Sequence, residues 1–203
     1  MTSSPLCRIK GKEKYTMRAK KRFALQKMIF ISMFTAITAI LSQTQLPTPS
    51  GVPFTLQTFA IALCGYILGV KSGLTSVGLY IALGAVGLPV FSGFRSGFPV
   101  LFSLTGGFIF GFIGMVILCG IGAGFRQKWL RLPLGFAGIL ACHLFGVAQY
   151  ALLSGNSFLS SFLLVSLPYL LKDGLSLVLA AAIGTAVTAA LSKYAKASDF
   201  ILQ

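Results

Sequence analysis

The chain has 203 residues, of which 56% are apolar and only 10% charged. Soluble domains carry about a quarter charged residues, so this chain cannot cover itself with polar surface and lipid is its expected solvent. Its net charge of +14 does not point to nucleic acid, because the basic residues cluster in one terminal tail or sit singly beside apolar runs.

Eight of the 17 basic residues lie within residues 1–22. That segment is expected to lie in the cytoplasm, to contact lipid headgroups and to be disordered before Lys20. The first apolar span follows at 23–43. It has the flank of a signal peptide but no small-x-small cleavage site, so it is read as a membrane helix. After the turn-rich TQLPTPSGVP, the second span runs over 54–70 and stops at Lys71. The third covers 74–91 and leads into SGFRSGFP. The fourth, 100–122, is followed by FRQKWLRLP with Arg126, Lys128 and Arg131. The fifth is 134–153 and the sixth is 164–192, followed by a short tail at 193–203. Spans of about twenty residues match helices that cross hydrocarbon. The expected fold is therefore an all-α membrane protein, a six-helix bundle over 23–192 between a basic N-terminal segment and a cytoplasmic tail.

Charge orients this bundle. With the N-terminus inside, Lys71, the Arg126–Arg131 loop and Lys193 are cytoplasmic, and Arg95 is nearly alone among outer-loop charges. Small residues four apart recur in the spans. Gly107 and Gly111 are read as packing within the molecule rather than as a dimer face. Ser32 with Ala36, and Thr35 with Ala39, mark the first span as a candidate face for close helix contact. Cys7, Cys64, Cys119 and Cys142 are scattered and support neither a metal site nor a disulfide framework.

Asp173 is the most informative residue. An acid inside a span is costly and faces a cavity or a partner. Its neighbour Lys172 is turned by about 100° on a helix and is expected to point elsewhere and snorkel. Arg95 is either a solvated loop charge or a receptor for a carboxylate, since guanidinium offers paired donors. An acid and a base on one side of an apolar bundle suit a small ligand with one acid and one donor group. Gln57 needs partners from backbone or ligand. Tyr80 and His143 lie mid-helix, and a lone His there is read as a packed core residue. No phosphate-binding loop, zinc-protease motif, nucleophile elbow or paired-carboxylate arrangement is present. The chain is not expected to be an enzyme or to need a cofactor, and transport energy must come from a partner or an ion gradient.

The blocks GVPFTLQTFA, LYIALGAVGLPVFSGF, LFSLTGGFIFGF and PYLLKDGLSLVLAAAIG, in this order over roughly 23–192, resemble the BioY family. BioY proteins are the biotin-binding S components of energy-coupling factor (ECF) transporters, six-helix bundles of the bacterial cell membrane. The resemblance implies biotin uptake driven by coupling and ATPase subunits in trans, or alternatively a stand-alone or proton-coupled carrier. It implies that Asp173 receives the ureido N–H groups and that Arg95 takes the valerate carboxylate. Gln57 and Tyr80 fall in matching blocks as lining residues. Many members carry Lys three positions after the acid. Here that position is Ser176, and the nearby lysine is Lys172, so the carboxylate contact rests on Arg95 alone or on Lys172 by a different geometry. The Ser32–Ala36 and Thr35–Ala39 pairs approximate the family's stripe for docking the coupling subunit.

Overall fold

The computed structural model describes residues 5–125 and 127–201, with side chains from 24 to 193 except 126 and 128. The side chains of the basic terminal segments, and those of Arg126 and Lys128, lie outside the described residues. Five helices are long and apolar enough to cross a membrane: Ala24–Gln43, Gln57–Val86, Gly106–Gly124, Arg131–Ser154 and Leu167–Lys193. The chain is a multi-pass helical membrane protein.

Helix α1 runs over Pro5–Gln43. It begins well before the expected first span, and the stretch before Lys20 continues the helix rather than preceding it. Residues such as Met17, Ala19 and Lys20 favour helix intrinsically, so apolar character is not needed for it to extend. A two-stranded hairpin follows, with Gln45–Leu46 (β1) antiparallel to Phe54–Thr55 (β2). Helix α2, Gln57–Val86, contains both the second and third expected spans.

It is not straight. Gly69 has φ 71°, a conformation glycine adopts without steric cost. Cys64 Sγ lies 3.8 Å from the Gly73 carbonyl oxygen. In a straight helix, residues nine apart are separated by about 13 Å. Gln57 and Tyr80, separated by 23 positions in sequence, share a hydrogen bond. The chain therefore doubles back at Gly69 into two arms, 57–68 and 70–86. The reversal lies two residues before Lys71, where hydropathy placed the break.

Helix α3 (Gly106–Gly124) packs between α2 and α4 (Arg131–Ser154). Glycines set these distances. A Cβ at Gly107 would lie 2.3 Å from the Phe145 carbonyl oxygen, and one at Gly111 would lie 2.6 Å from Cys142 Cα. The pair serves packing inside the molecule, as its spacing suggested. The short α5 (Phe158–Val165) leads into α6 (Leu167–Ile201). The four long helices from α2 to α6 share a core with Tyr66, Met115, Ile139 and Leu177 fully buried.

The two ends of the bundle differ. At the Gly69 end, Tyr66 donates to the Arg131 carbonyl at 2.9 Å and Arg131 Nη1 reaches Thr185 Oγ1 at 2.7 Å, tying α2, α4 and α6 together. At the other end lie the β-hairpin and the 87–105 and 155–166 loops.

Candidate functional site

The loop-rich end holds a pocket enclosing about 670 Å³ of empty space, its open mouth included. Apolar side chains form most of its wall, among them Val52, Phe91, Phe108, Phe112 and Ile139. Apolar walls with a few placed polar groups are the pattern of small-molecule sites. The polar groups here are Asp173, Lys172, His143, Gln57 and Arg95.

Asp173 sits in the second turn of α6, which starts after the break at Ser166 and carries Pro168 in its first turn, where the missing N–H costs nothing. Asp173 is 4% exposed. Its Oδ2 is 3.1 Å from His143 Nε2 and its Oδ1 is 2.6 Å from Lys172 Nζ. The two contacts on Asp173 differ in kind. The Lys172 ammonium forms a close ion pair with Oδ1, while His143 meets Oδ2 through a ring nitrogen. Oδ1 is buried against the Lys172 ammonium, and both residues stand on the pocket wall.

Lys172 does not point away. Its Nζ turns back to the Thr55 carbonyl at 2.7 Å and stands 5.9 Å above the Phe54 ring. The helical offset fixes only where the side chain starts, and a four-carbon stem spans the rest. Lys172 therefore joins Asp173 at the pocket, contrary to the expectation of an outward side chain.

Gln57 lines the pocket with its amide held from both sides. Its Nε2 donates to Tyr80 Oη at 2.6 Å and its Oε1 accepts from Thr55 Oγ1 at 3.2 Å. Tyr80 is not a lining residue. It is wholly buried behind Gln57, edge-on to Phe91 with ring centres 5.6 Å apart, and acts as a prop. Ser176 is buried but does not line the pocket, although three residues along a helix keep it near the face of Asp173.

Arg95 stands at the mouth. Its Nε donates to the Ser92 carbonyl at 3.1 Å and its Nη2 to Thr105 Oγ1 at 3.4 Å. Among the described residues no carboxylate lies within ion-pair distance of it. Arg95 also borders a second, shallower depression under the β-hairpin, with Gln45, Thr48 and Ser92. Two tyrosines hold that hairpin over the pocket. Tyr150 donates to the Ser50 carbonyl at 3.2 Å, and Tyr169 donates to the Val52 carbonyl while stacking on Phe54 at 4.1 Å.

His143 is a packed, hydrogen-bonded core residue, as read from the sequence, and it also reaches the pocket wall. It is buried, but it lines the pocket and bridges Asp173 to Ser166, whose Oγ is 3.0 Å from Nδ1. The signal that could have found it is that the one histidine and the one intramembrane acid belong to facing helices. The order Ser166–His143–Asp173 resembles a hydrolytic triad, yet Ser166 is 0% exposed and does not line the pocket, so no substrate can reach it as a nucleophile.

The small residues of α1 divide. Ser32 and Ala36 are exposed on the outer face of the helix. Thr35 is 5% exposed and bonds Ser76 at 3.1 Å, and Ala39 packs on the core. One helical face can meet the bundle or a partner but not both, so the second pair does not form a docking face.

Residues 15–193 match the model of the BioY family. The chain belongs to the BioY family. Among its BioY relatives, the "biotin transporter BioY" of Thermotoga maritima is 38% identical over 124 residues, covering 61% of this chain and 73% of that one. The "probable biotin transporter BioY" of Bacillus subtilis is 33% identical over 175 residues, covering 81% and 91%. The fold matches a crystal structure described as the S-component for biotin from an ECF-type ABC transporter. The TM-score is 0.74 at 24% identity, covering 82% of this BioY chain and 93% of the other.

Proposed function

We propose that this BioY chain takes biotin up across the cytoplasmic membrane, as the substrate-binding component of a transporter energised by an ATPase module in trans. It is a transport protein, not an enzyme. The carrying observation is one apolar pocket with the Asp173–Lys172 pair on its wall and an unpaired Arg95 at its mouth. Biotin is an apolar bicycle with a ureido group at one end and a carboxylate on a chain at the other. Asp173 Oδ1 accepts a ureido N–H, Lys172 stands beside it to donate to the ureido oxygen, and Arg95 receives the carboxylate. The carboxylate contact then rests on Arg95 alone. Gln57, braced by Tyr80, shapes the wall.

The two arms of α2 count as separate crossings, giving six with α1, α3, α4 and α6 over residues 23–192. The N-terminus and the 193–203 tail are inside, which faces the pocket outward. Ser32 and Ala36 offer α1 to a coupling subunit. The rival is a stand-alone carrier coupled to protons through the buried Asp173–His143 pair. Uptake into vesicles lacking any ATPase, abolished by collapsing the proton gradient, would establish it instead.

Binding of radiolabelled biotin to the purified protein, beside thiamine and riboflavin, tests the substrate. Asp173→Asn exchanges the acceptor for an amide and is expected to weaken biotin binding more than about tenfold, the size of one charged hydrogen bond. Unchanged affinity in the folded variant defeats the assignment.

A further inference from the structure

We infer that His143, held in a single tautomer by Ser166, is a positioning residue that sets how Asp173 meets its ligand. This rests on the biotin reading above. Groups from three directions surround the imidazole: Asp173 and Lys172 on α6, Ser166 at the α5–α6 junction, and Phe108 on α3, whose ring meets it edge-on with centres 5.8 Å apart. His143 stands between them on α4.

The hydrogen-bond inventory fixes the arrangement. A carboxylate paired with an ammonium only accepts, so the imidazole nitrogen facing Oδ2 at 3.1 Å must carry its hydrogen. The other nitrogen, Nδ1, then accepts from the Ser166 hydroxyl at 3.0 Å. A doubly protonated ring would turn that bond around. Ser166 Oγ would become the acceptor, and its own hydrogen would be stranded, because among the described residues it has no other partner. Ser166 is 0% exposed, so water does not supply one. The neutral Nε2–H form is the one that satisfies every group.

Two consequences follow for the ligand. His143 occupies Oδ2, so the carboxylate cannot rotate and offers one oxygen, Oδ1, to the pocket. That oxygen lies 2.6 Å from a donor, Lys172 Nζ. The site therefore presents a fixed acceptor–donor pair, which suits the adjacent N–H and C=O of a ureido edge. With His143 neutral, Lys172 and Asp173 cancel, and Arg95 is left as the surplus charge. A monoanionic ligand then neutralises the pocket.

The test is biotin affinity of purified protein for wild type, His143→Gln, His143→Ala, Ser166→Ala and the Ser166→Ala/His143→Gln double variant. Glutamine places its N–H near Nε2 but has no tautomer to lose. The expected pattern is near-wild-type affinity for His143→Gln and a loss of tenfold or more for His143→Ala. Ser166→Ala should lose severalfold alone and lose nothing further on the glutamine background. A purely structural Ser166 would lose equally on both backgrounds, since independent sites add. That additive result, or wild-type affinity in His143→Ala, overturns the inference. Imidazole nitrogen NMR of the wild-type protein decides the matter even if a variant misfolds, because a protonated Nδ1 also overturns it. If wild type binds biotin and Asp173→Asn does not, the transport reading survives such a result. Absence of biotin binding by wild type removes the reading itself.

Discussion

Asp173 and Arg95 stand out in the sequence because an isolated charge in an apolar chain has few reasons to exist, and both line the pocket. The place of His143 on the pocket wall and the direction of Lys172 were not legible, for a common reason. Each depends on a contact across helices, His143 with α6 and Lys172 with the β-hairpin, and helical periodicity carries no information about neighbouring elements. Tyr80 was placed in the correct region but at the wrong depth, since block similarity does not separate a lining residue from its support. The role given to Arg95 yields a prediction specific to charge. Arg95→Gln removes the guanidinium at a partly open mouth and is expected to weaken biotin about tenfold, within the range of a charge-assisted hydrogen bond. The same variant should leave the affinity for biotin methyl ester within about twofold, because that ligand has no carboxylate to lose. Calorimetric titration of both ligands checks this. An equal loss for both would make Arg95 a loop brace, acting through Ser92 and Thr105.

At the scale of elements, hydropathy located the helices but could not distinguish two separate spans from one element bent at a glycine. Gly69 carries that reversal, and nothing in its apolar surroundings announces a positive φ. The short α5 was likewise not anticipated, since all but its last two residues fall between the fifth and sixth expected spans. Glycine spacing was more informative. Gly111 and Gly114 lie on the same helix and make opposite predictions. Replacing a helical glycine by alanine is intrinsically favourable by about 0.5–1 kcal/mol. At Gly114 the new methyl would lie 3.7 Å from Ala141 Cβ, an ordinary contact, so Gly114→Ala should keep or slightly raise the melting temperature. At Gly111 it would meet Cys142 Cα at 2.6 Å and the Cys142 carbonyl oxygen at 2.8 Å, which is backbone and cannot swing aside. Helices α3 and α4 must separate, at about 1–3 kcal/mol for overpacking, and Gly111→Ala should melt about 3–10 °C lower. Thermal unfolding in one detergent compares the two directly. Equal behaviour would mean that the α3–α4 contact is looser than the glycine geometry requires.

For the whole molecule, the question is which end faces outward, and composition and architecture both bear on it. The three loops at the pocket end, 44–56, 87–105 and 155–166, contain Arg95 as their one charged residue. The opposite end carries Lys71, Arg131 and Lys193, and the part of α1 that leads in from that side includes eight further basic residues. Cationic residues beside short loops are retained on the cytoplasmic side, so the proposed orientation has the pocket opening outward and the Tyr66–Arg131–Thr185 ties toward the cytosol. The orientation can be read by cysteine accessibility. Cys64, Cys119 and Cys142 are buried, so a Cys7→Ser background should give little labelling. Ser96 and Gln127 are exposed at opposite ends of the bundle. A membrane-impermeant maleimide applied to intact cells should label Ser96→Cys, and should reach Gln127→Cys only after permeabilisation. Arg95 adjoins Ser96, so the same label reports the side of the proposed carboxylate receptor. Labelling in the reverse order would turn the pocket to the cytosol. External biotin would then have no route to Asp173, because the end left facing outward is closed by the hydrogen bonds that join α2, α4 and α6.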